Sequence, residues 1–253
     1  MKINTVKRLL SAGRPAIGVC NGLGSPMVAE AYSKFGFDFV LLDHQHGLWD
    51  DNTAWLAYQA ISRGPAMPMA RVNWNDFAAI GRLLDRGALG LIVPMVESAE
   101  AARAAANAMR YPPRGSRSFG PALTQYHGAD YATWIDDEVL LMVQLESAKA
   151  VERAEEILAV EGVDGCWVGP MDLARTMGID LKTTEAVAAH DQALGRVLEA
   201  CRKTGKFPGI FGGSVAATRR RLEQGFLFVT VDDWAVIGTG AHEVLRQLKP
   251  SGE

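Results

Sequence analysis

Several features are scarce or absent, and each absence narrows the reading. Cysteine is scarce: Cys20, Cys166 and Cys201 are far apart, odd in number and in no metal-ligand spacing. That excludes a disulfide framework and a cysteine-based metal knot. Cys20 and Cys166 sit in apolar runs and read as buried packing residues, as suits a reducing cytoplasm. No apolar run approaches the roughly 20 residues of a membrane helix. The start, MKINTVKRLLSAGR, is amphipathic and lacks the apolar block of a secretory signal. Charge of one sign is not in excess: the net charge of −3 favours neither nucleic acid nor an anionic membrane. No lysine falls inside a candidate strand, which argues against an interior Schiff-base lysine. No serine sits in a nucleophile elbow, and Gly22 and Gly24 do not continue into a dinucleotide fingerprint.

What is present is a repeated strand–helix pattern. Eight apolar runs, at 16–20, 37–43, 67–72, 90–96, 139–146, 165–168, 208–211 and 226–231, read as strands buried on both faces. Amphipathic stretches such as 76–86, 99–109 and 184–203 alternate with them. Alternation predicts a parallel sheet, and eight units predict a closed (β/α)8 TIM barrel in the α/β class. The 253 residues suit one such domain spanning 1–253, and no linker divides them. One connection, 110–137, is long and rich in turn formers (YPPRGSRSFGP). Leaving the rim after the fourth strand, it is a candidate cover for a site.

In such a barrel the C-terminal strand ends share one rim, where active sites are built. The rim inventory is Asp43, His44, Gln45 and His46 after the second strand and Arg71 after the third. The fifth supplies Gln144 and Glu146, and the sixth Gly169, Pro170 and Asp172. Two carboxylates there suit a hard divalent ion. Equally, Glu146 can favour a helix dipole and Asp172 can serve as a cap.

These stretches carry a resemblance. FGFDFVLLDHQHG, ARVNWNDFAAIGRLLDRGALGLIVPMVESAEAA, RYPPRGSRSFG, VQLESAKAVERAEEILAVEGVDGCWVGPMDLARTMG and the run around PGIFGG resemble the HpcH/HpaI aldolases, metal-dependent class II enzymes that act on pyruvate. The resemblance covers nearly the whole chain. It implies an aldolase that cleaves or forms 4-hydroxy-2-oxo acids through the enolate of pyruvate or hydroxypyruvate and an aldehyde. Glu146 and Asp172 are implied as ligands of Mg²⁺, Mn²⁺ or Co²⁺. Arg71 is implied at the keto oxygen, where its fixed charge would stabilise an enolate. Gly169, Pro170 and the backbone at Asp172 would wall the pyruvate carboxylate, and Gln144 would orient water or substrate. His46 would move protons near the aldehyde with Asp43 as its partner. Asp85 would lie near a neighbouring subunit's site, and Arg117 would reach substrate from the long loop. The family also implies a homo-oligomer, a hexamer built as a trimer of dimers, with the C-terminal helix exchanged or packed between subunits.

One departure stands out. The family commonly has Asp-x-Glu-His where this chain has Asp43-His44-Gln45-His46, so a charge is lost before His46 and an imidazole is gained at His44. Other enolate chemistry on the same rim, oxaloacetate decarboxylation or CoA-thioester cleavage, is an alternative, as is a non-catalytic metabolite-binding barrel. A basic track for CoA phosphates is not evident. His190 and His242 read as helix-surface residues. His127, in the long connection, has no supporting context beyond a possible touch on substrate. Trp49, Trp74 and Trp234 read as packing or interface residues.

Overall fold

The computed structural model describes residues 3–120 and 127–249. Eight parallel strands close into a barrel in chain order: β1 (Ala16–Asn21), β2 (Phe39–Asp43), β3 (Met67–Arg71), β4 (Gly90–Val93), β5 (Leu140–Leu145), β6 (Gly165–Val168), β7 (Gly209–Gly213) and β8 (Phe228–Asp232). β1 pairs with β8 from Ala16 against Phe228 to Cys20 against Asp232, which seals the ring. Every residue of β2 to β6 is buried, because helices cover the outside and side chains fill the inside. Within the barrel the Phe39 and Phe228 rings stack at 4.4 Å. Gly18 makes room for them: a Cβ there would lie 2.2 Å from the Phe39 ring.

Each expected strand is found with its ends shifted by a few residues: β2 to β5 are shorter than expected, β6 matches, and β1, β7 and β8 run one or two residues further at their C-terminal ends. β4 stops at Val93 instead of continuing to Val96. Pro94 offers no N–H to the ladder, and Met95 turns the chain with φ at 57°. The outer layer comprises α1 (Thr5–Ser11), α2 (Pro26–Lys34), α3 (Asp51–Ile61), α4 (Phe77–Arg86), α5 (Ala99–Met109), α6 (Tyr131–Glu138), α7 (Ala148–Glu152), α8 (Ala154–Leu158), α9 (Pro170–Thr176), α10 (Thr184–Thr204), α11 (Val215–Glu223) and α12 (Asp233–Leu248). Local signals set several boundaries. The side chains of Asp76, Ser98 and Thr183 accept from the first-turn N–H groups of α4, α5 and α10. Gly205 closes α10 with φ at 68°.

The two barrel ends differ. At the N-terminal end of the strands, α1 is pinned: the Asn4 amide donates to the carbonyls of Leu89 and Glu138. The other end opens on the candidate site. α12 is mostly exposed, with Trp234, Val244, Leu245 and Leu248 among its outward apolar residues. Among the described residues no helix is long and apolar enough to cross a membrane.

Candidate active site

A cavity of about 230 Å³ opens at the C-terminal strand ends, lined by His46, Arg71, Gln144, Trp167, Gly169, Pro170, Met171, Asp172 and Phe211. The barrel topology makes this gathering possible: all strand ends share one rim, so residues as far apart in sequence as His46 and Phe211 line one cavity.

Arg71 is the last residue of β3 and is paired in register with Asp43, the last of β2. Its Nε donates to Asp43 Oδ1 at 2.8 Å and its Nη2 to Oδ2 at 2.5 Å, a bidentate clasp between two buried groups. The guanidinium also lies 5.2 Å from the centre of the Trp167 ring. Burial alone would raise the Asp43 pKa; hydrogen bonds from Arg71 outweigh it and hold the carboxyl below its usual range. The same bonds raise the Arg71 pKa against the effect of burial, so the charge at this point is permanent. Asp43 Oδ1 further accepts the main-chain N–H groups of Gln45 (3.0 Å) and His46 (3.3 Å). The contact of Asp43 with His46 is therefore through the main chain, and the carboxylate itself is committed to Arg71.

Glu146 follows β5 and is 6% exposed. Its Oε1 accepts the Met95 N–H at 2.8 Å and its Oε2 accepts Gln144 Nε2 at 2.5 Å. Burial pushes its pKa up; the Met95 bond opposes this, and the neighbouring charge of Asp172 adds to it. Asp172 lies exposed in the first turn of α9. Gly169 suits this packing, since a Cβ there would lie 3.1 Å from Gln144 Nε2 and 3.2 Å from Glu146 Cβ, close enough to push on both side chains.

These features fit a hard divalent cation. Two mutually repelling carboxylates, one buried, form no salt bridge among the described residues, and Gln144 Oε1 is buried without a hydrogen-bond partner. No group of three or more His, Cys, Asp or Glu side chains suited to a metal occurs among the described residues. The two carboxylates would therefore leave most coordination positions to substrate and water.

Other expected residues fall elsewhere. Asp85 and Arg117 meet each other at 2.8 Å, away from the cavity. Arg117 is 2% exposed and packs over the Tyr111 and Tyr131 rings at 4.6 and 5.8 Å. Among the described residues of the long connection none lines the cavity; positions 121–126 lie outside the description. His44 turns away from His46 into a second hollow of about 220 Å³ beside Trp49, Asp50 and Arg82. Its Nε2 is buried without a partner, and burial pulls its pKa down to about 4, so the ring is neutral. His242 is exposed, as expected. His127 stacks on Tyr131 at 5.5 Å. Trp49 is buried with Nε1 donating to the Asn21 carbonyl, and Trp74 and Trp234 are exposed. All three cysteines are free and buried.

The surface assignment of His190 is overturned. It is 2% exposed, and its Nε2 lies 2.9 Å from the carbonyl of Pro170, so it braces the turn that carries Asp172. Helical spacing could place it on α10 but not show that this face of α10 packs on α9. Met95 was also missed: its contribution is a main-chain N–H, which side-chain identity does not encode. Trp167 and Phe211, in apolar runs, carried only a core signal.

The family model for HpcH/HpaI aldolase/citrate lyase matches residues 18–232. A 4-hydroxy-2-oxo-heptane-1,7-dioate aldolase of Escherichia coli is 40% identical over 234 residues, covering 90% of this chain and 88% of its own. That of Klebsiella pneumoniae is 40% identical over 245 residues, 94% of this chain and 91% of its own. Among solved structures, an HpcH/HpaI aldolase/citrate lyase family protein from Burkholderia cenocepacia superposes with a TM-score of 0.88 at 31% identity, covering 98% of this chain and all of its own.

Proposed function

This chain belongs to the HpcH/HpaI aldolase/citrate lyase family, and from that premise we propose that it is a carbon–carbon lyase. Its reaction is the reversible cleavage of 4-hydroxy-2-oxo acids to pyruvate, or hydroxypyruvate, and an aldehyde. One observation carries the reading. Arg71, held rigidly by Asp43 and Trp167, faces the same cavity as Gln144 and Asp172, with buried Glu146 alongside.

The hard step places negative charge on the keto oxygen of a 2-oxo acid. Arg71 meets that oxygen with a fixed cation that need not reorganise, the arrangement in which electrostatic stabilisation is largest. Glu146 and Asp172 would hold a divalent ion, Mg²⁺, Mn²⁺ or Co²⁺, which when bound supplies Lewis-acid polarisation of several kcal/mol. Gln144 fixes Glu146 through its amide and keeps its oxygen toward water or donor. The Gly169–Pro170 wall borders the carboxylate of the 2-oxo acid. His46, on the rim, takes the proton of the 4-hydroxyl in cleavage and returns it in synthesis. Gln45 has lost the charge seen in the family, so His46 acts without a neighbouring carboxylate at that position.

We further propose a homo-oligomer, a hexamer as a trimer of dimers, in which α12 buries its exposed apolar residues on a neighbouring copy. In that assembly Asp85 approaches the neighbour's site. Buried, unbridged cysteines fit a reducing cytoplasm.

The decisive experiment follows solvent deuterium entering the methyl group of pyruvate, with Mn²⁺ and with excess chelator. Exchange that requires the ion, together with pyruvate release from a 4-hydroxy-2-oxo acid faster than from oxaloacetate, is the expected result. Exchange undiminished by chelator would overturn the metal assignment; release from oxaloacetate alone would make the protein a decarboxylase.

A further inference from the structure

At the barrel end opposite the catalytic rim, α5, α8 and the turn before β6 surround an open cavity of about 880 Å³. Arg110, at the end of α5, forms its floor and is 4% exposed. Its ion-pair partner Asp164 is 3.6 Å away, outside hydrogen-bond reach. That carboxylate is already engaged, accepting the Leu141 N–H at 2.8 Å and pairing with Lys7 at 3.1 Å. Nε and Nη1 of Arg110 are buried with no hydrogen-bond partner.

A guanidinium stays protonated in proteins, so a buried positive charge here has an incomplete counter-charge. Buried unsatisfied polar atoms are few in folded proteins, and an unassigned ion is one of their ordinary explanations. Gly162, with φ at 88°, packs directly against the guanidinium: a Cβ there would lie 2.8 Å from Nη1. The walls add Arg103, exposed and without an ion pair among the described residues, and Arg114, whose partner Asp137 is itself 73% exposed. Glu156 and Glu161 also border the cavity, but Glu156 is engaged by Arg153 at 2.5 Å. Three arginines and two glutamates thus line the cavity, one of the glutamates engaged elsewhere.

We propose that this cavity is a second, non-catalytic binding site for a small oxyanion, either a phosphate or a polycarboxylate. The anion supplies the counter-charge that Arg110 lacks, and Arg103 and Arg114 close on it from the walls.

Inorganic phosphate and succinate are the two probes, titrated separately into the full-length protein by calorimetry and thermal melting at constant ionic strength. At least one gives a saturable heat and a rise in Tm. The Arg103→Glu/Arg114→Ala variant, altered only at exposed positions, loses about tenfold or more in affinity, roughly 1.4 kcal/mol. Asp172→Ala, at the other barrel end, retains the binding. Which probe binds assigns the ligand to the phosphate or the carboxylate class. No saturable signal from either probe, binding unchanged in the double variant, or loss confined to Asp172→Ala each overturns the proposal.

Discussion

Two buried arginines invite comparison. Arg71 and Arg117 each meet a carboxylate, Asp43 or Asp85, and each lies over aromatic rings. Their settings differ. Arg71 is at a strand end and borders an open cavity, and both its partners fix its orientation. Arg117 is enclosed by Tyr111 and Tyr131, and its main-chain N–H bonds the Arg110 carbonyl, so it ties the long connection to the barrel. The same side chain in similar company is a candidate electrophile in one place and a structural tie in the other. What separates them is whether the guanidinium borders space that a substrate can enter.

The largest effect that sharpens this contrast lies beside Arg71. Glu146→Ala or Asp172→Ala should reduce metal-dependent pyruvate exchange by on the order of 10³-fold or more. The melting temperature should stay within a few degrees. Residual exchange near the wild-type rate would detach the carboxylates from the chemistry. Next, Arg71→Ala should lower kcat by about 10²–10³-fold, as loss of a preorganised charge partner does. Arg71→Lys should rescue little, because an ammonium cannot reproduce the bidentate clasp. A change seen in KM alone would mean that Arg71 binds ground state and transition state equally.

Arg117→Ala tests the other half. It removes a buried side chain packed on two tyrosine rings and should cost about 1–3 kcal/mol in stability, read by denaturant unfolding. Exchange by the molecules that remain folded should change far less than with Arg71→Ala. A kcat loss matching that of Arg71→Ala, without loss of stability, would erase the distinction.

The smallest effect concerns His44. Its folded pKa of about 4 lies below the ordinary value of 6.5. Between these values the unfolded chain binds more protons, so stability is intact above pH 6.5 and falls as pH drops toward 4. His44→Gln should flatten that dependence by about 2 kcal/mol across the window. An unchanged pH profile of unfolding would show that the ring is not held neutral.

Much of the fold was legible because its cause is local. Continuous apolar runs of strand length, separated by amphipathic segments, announce strands covered on both faces. The rim residues could be read because a barrel places strand ends together whatever the loops do. The strand 4 boundary was misjudged by a few residues, since the apolar pattern runs on through Val96 while Pro94 and the backbone of Met95 end the ladder. His190 was misplaced because periodicity tells which residues share a helix face, not what that face touches.

By itself, then, the sequence determined the eight-fold alternation, the core, the family and the residue types at the strand ends, since each depends on neighbours along the chain. Tertiary structure alone decided that Asp43 is committed to Arg71, that Met95 and Gln144 grip the two oxygens of Glu146, and that Arg117 faces tyrosines. Those outcomes depend on distance and direction between segments far apart in the chain, and linear order does not specify either.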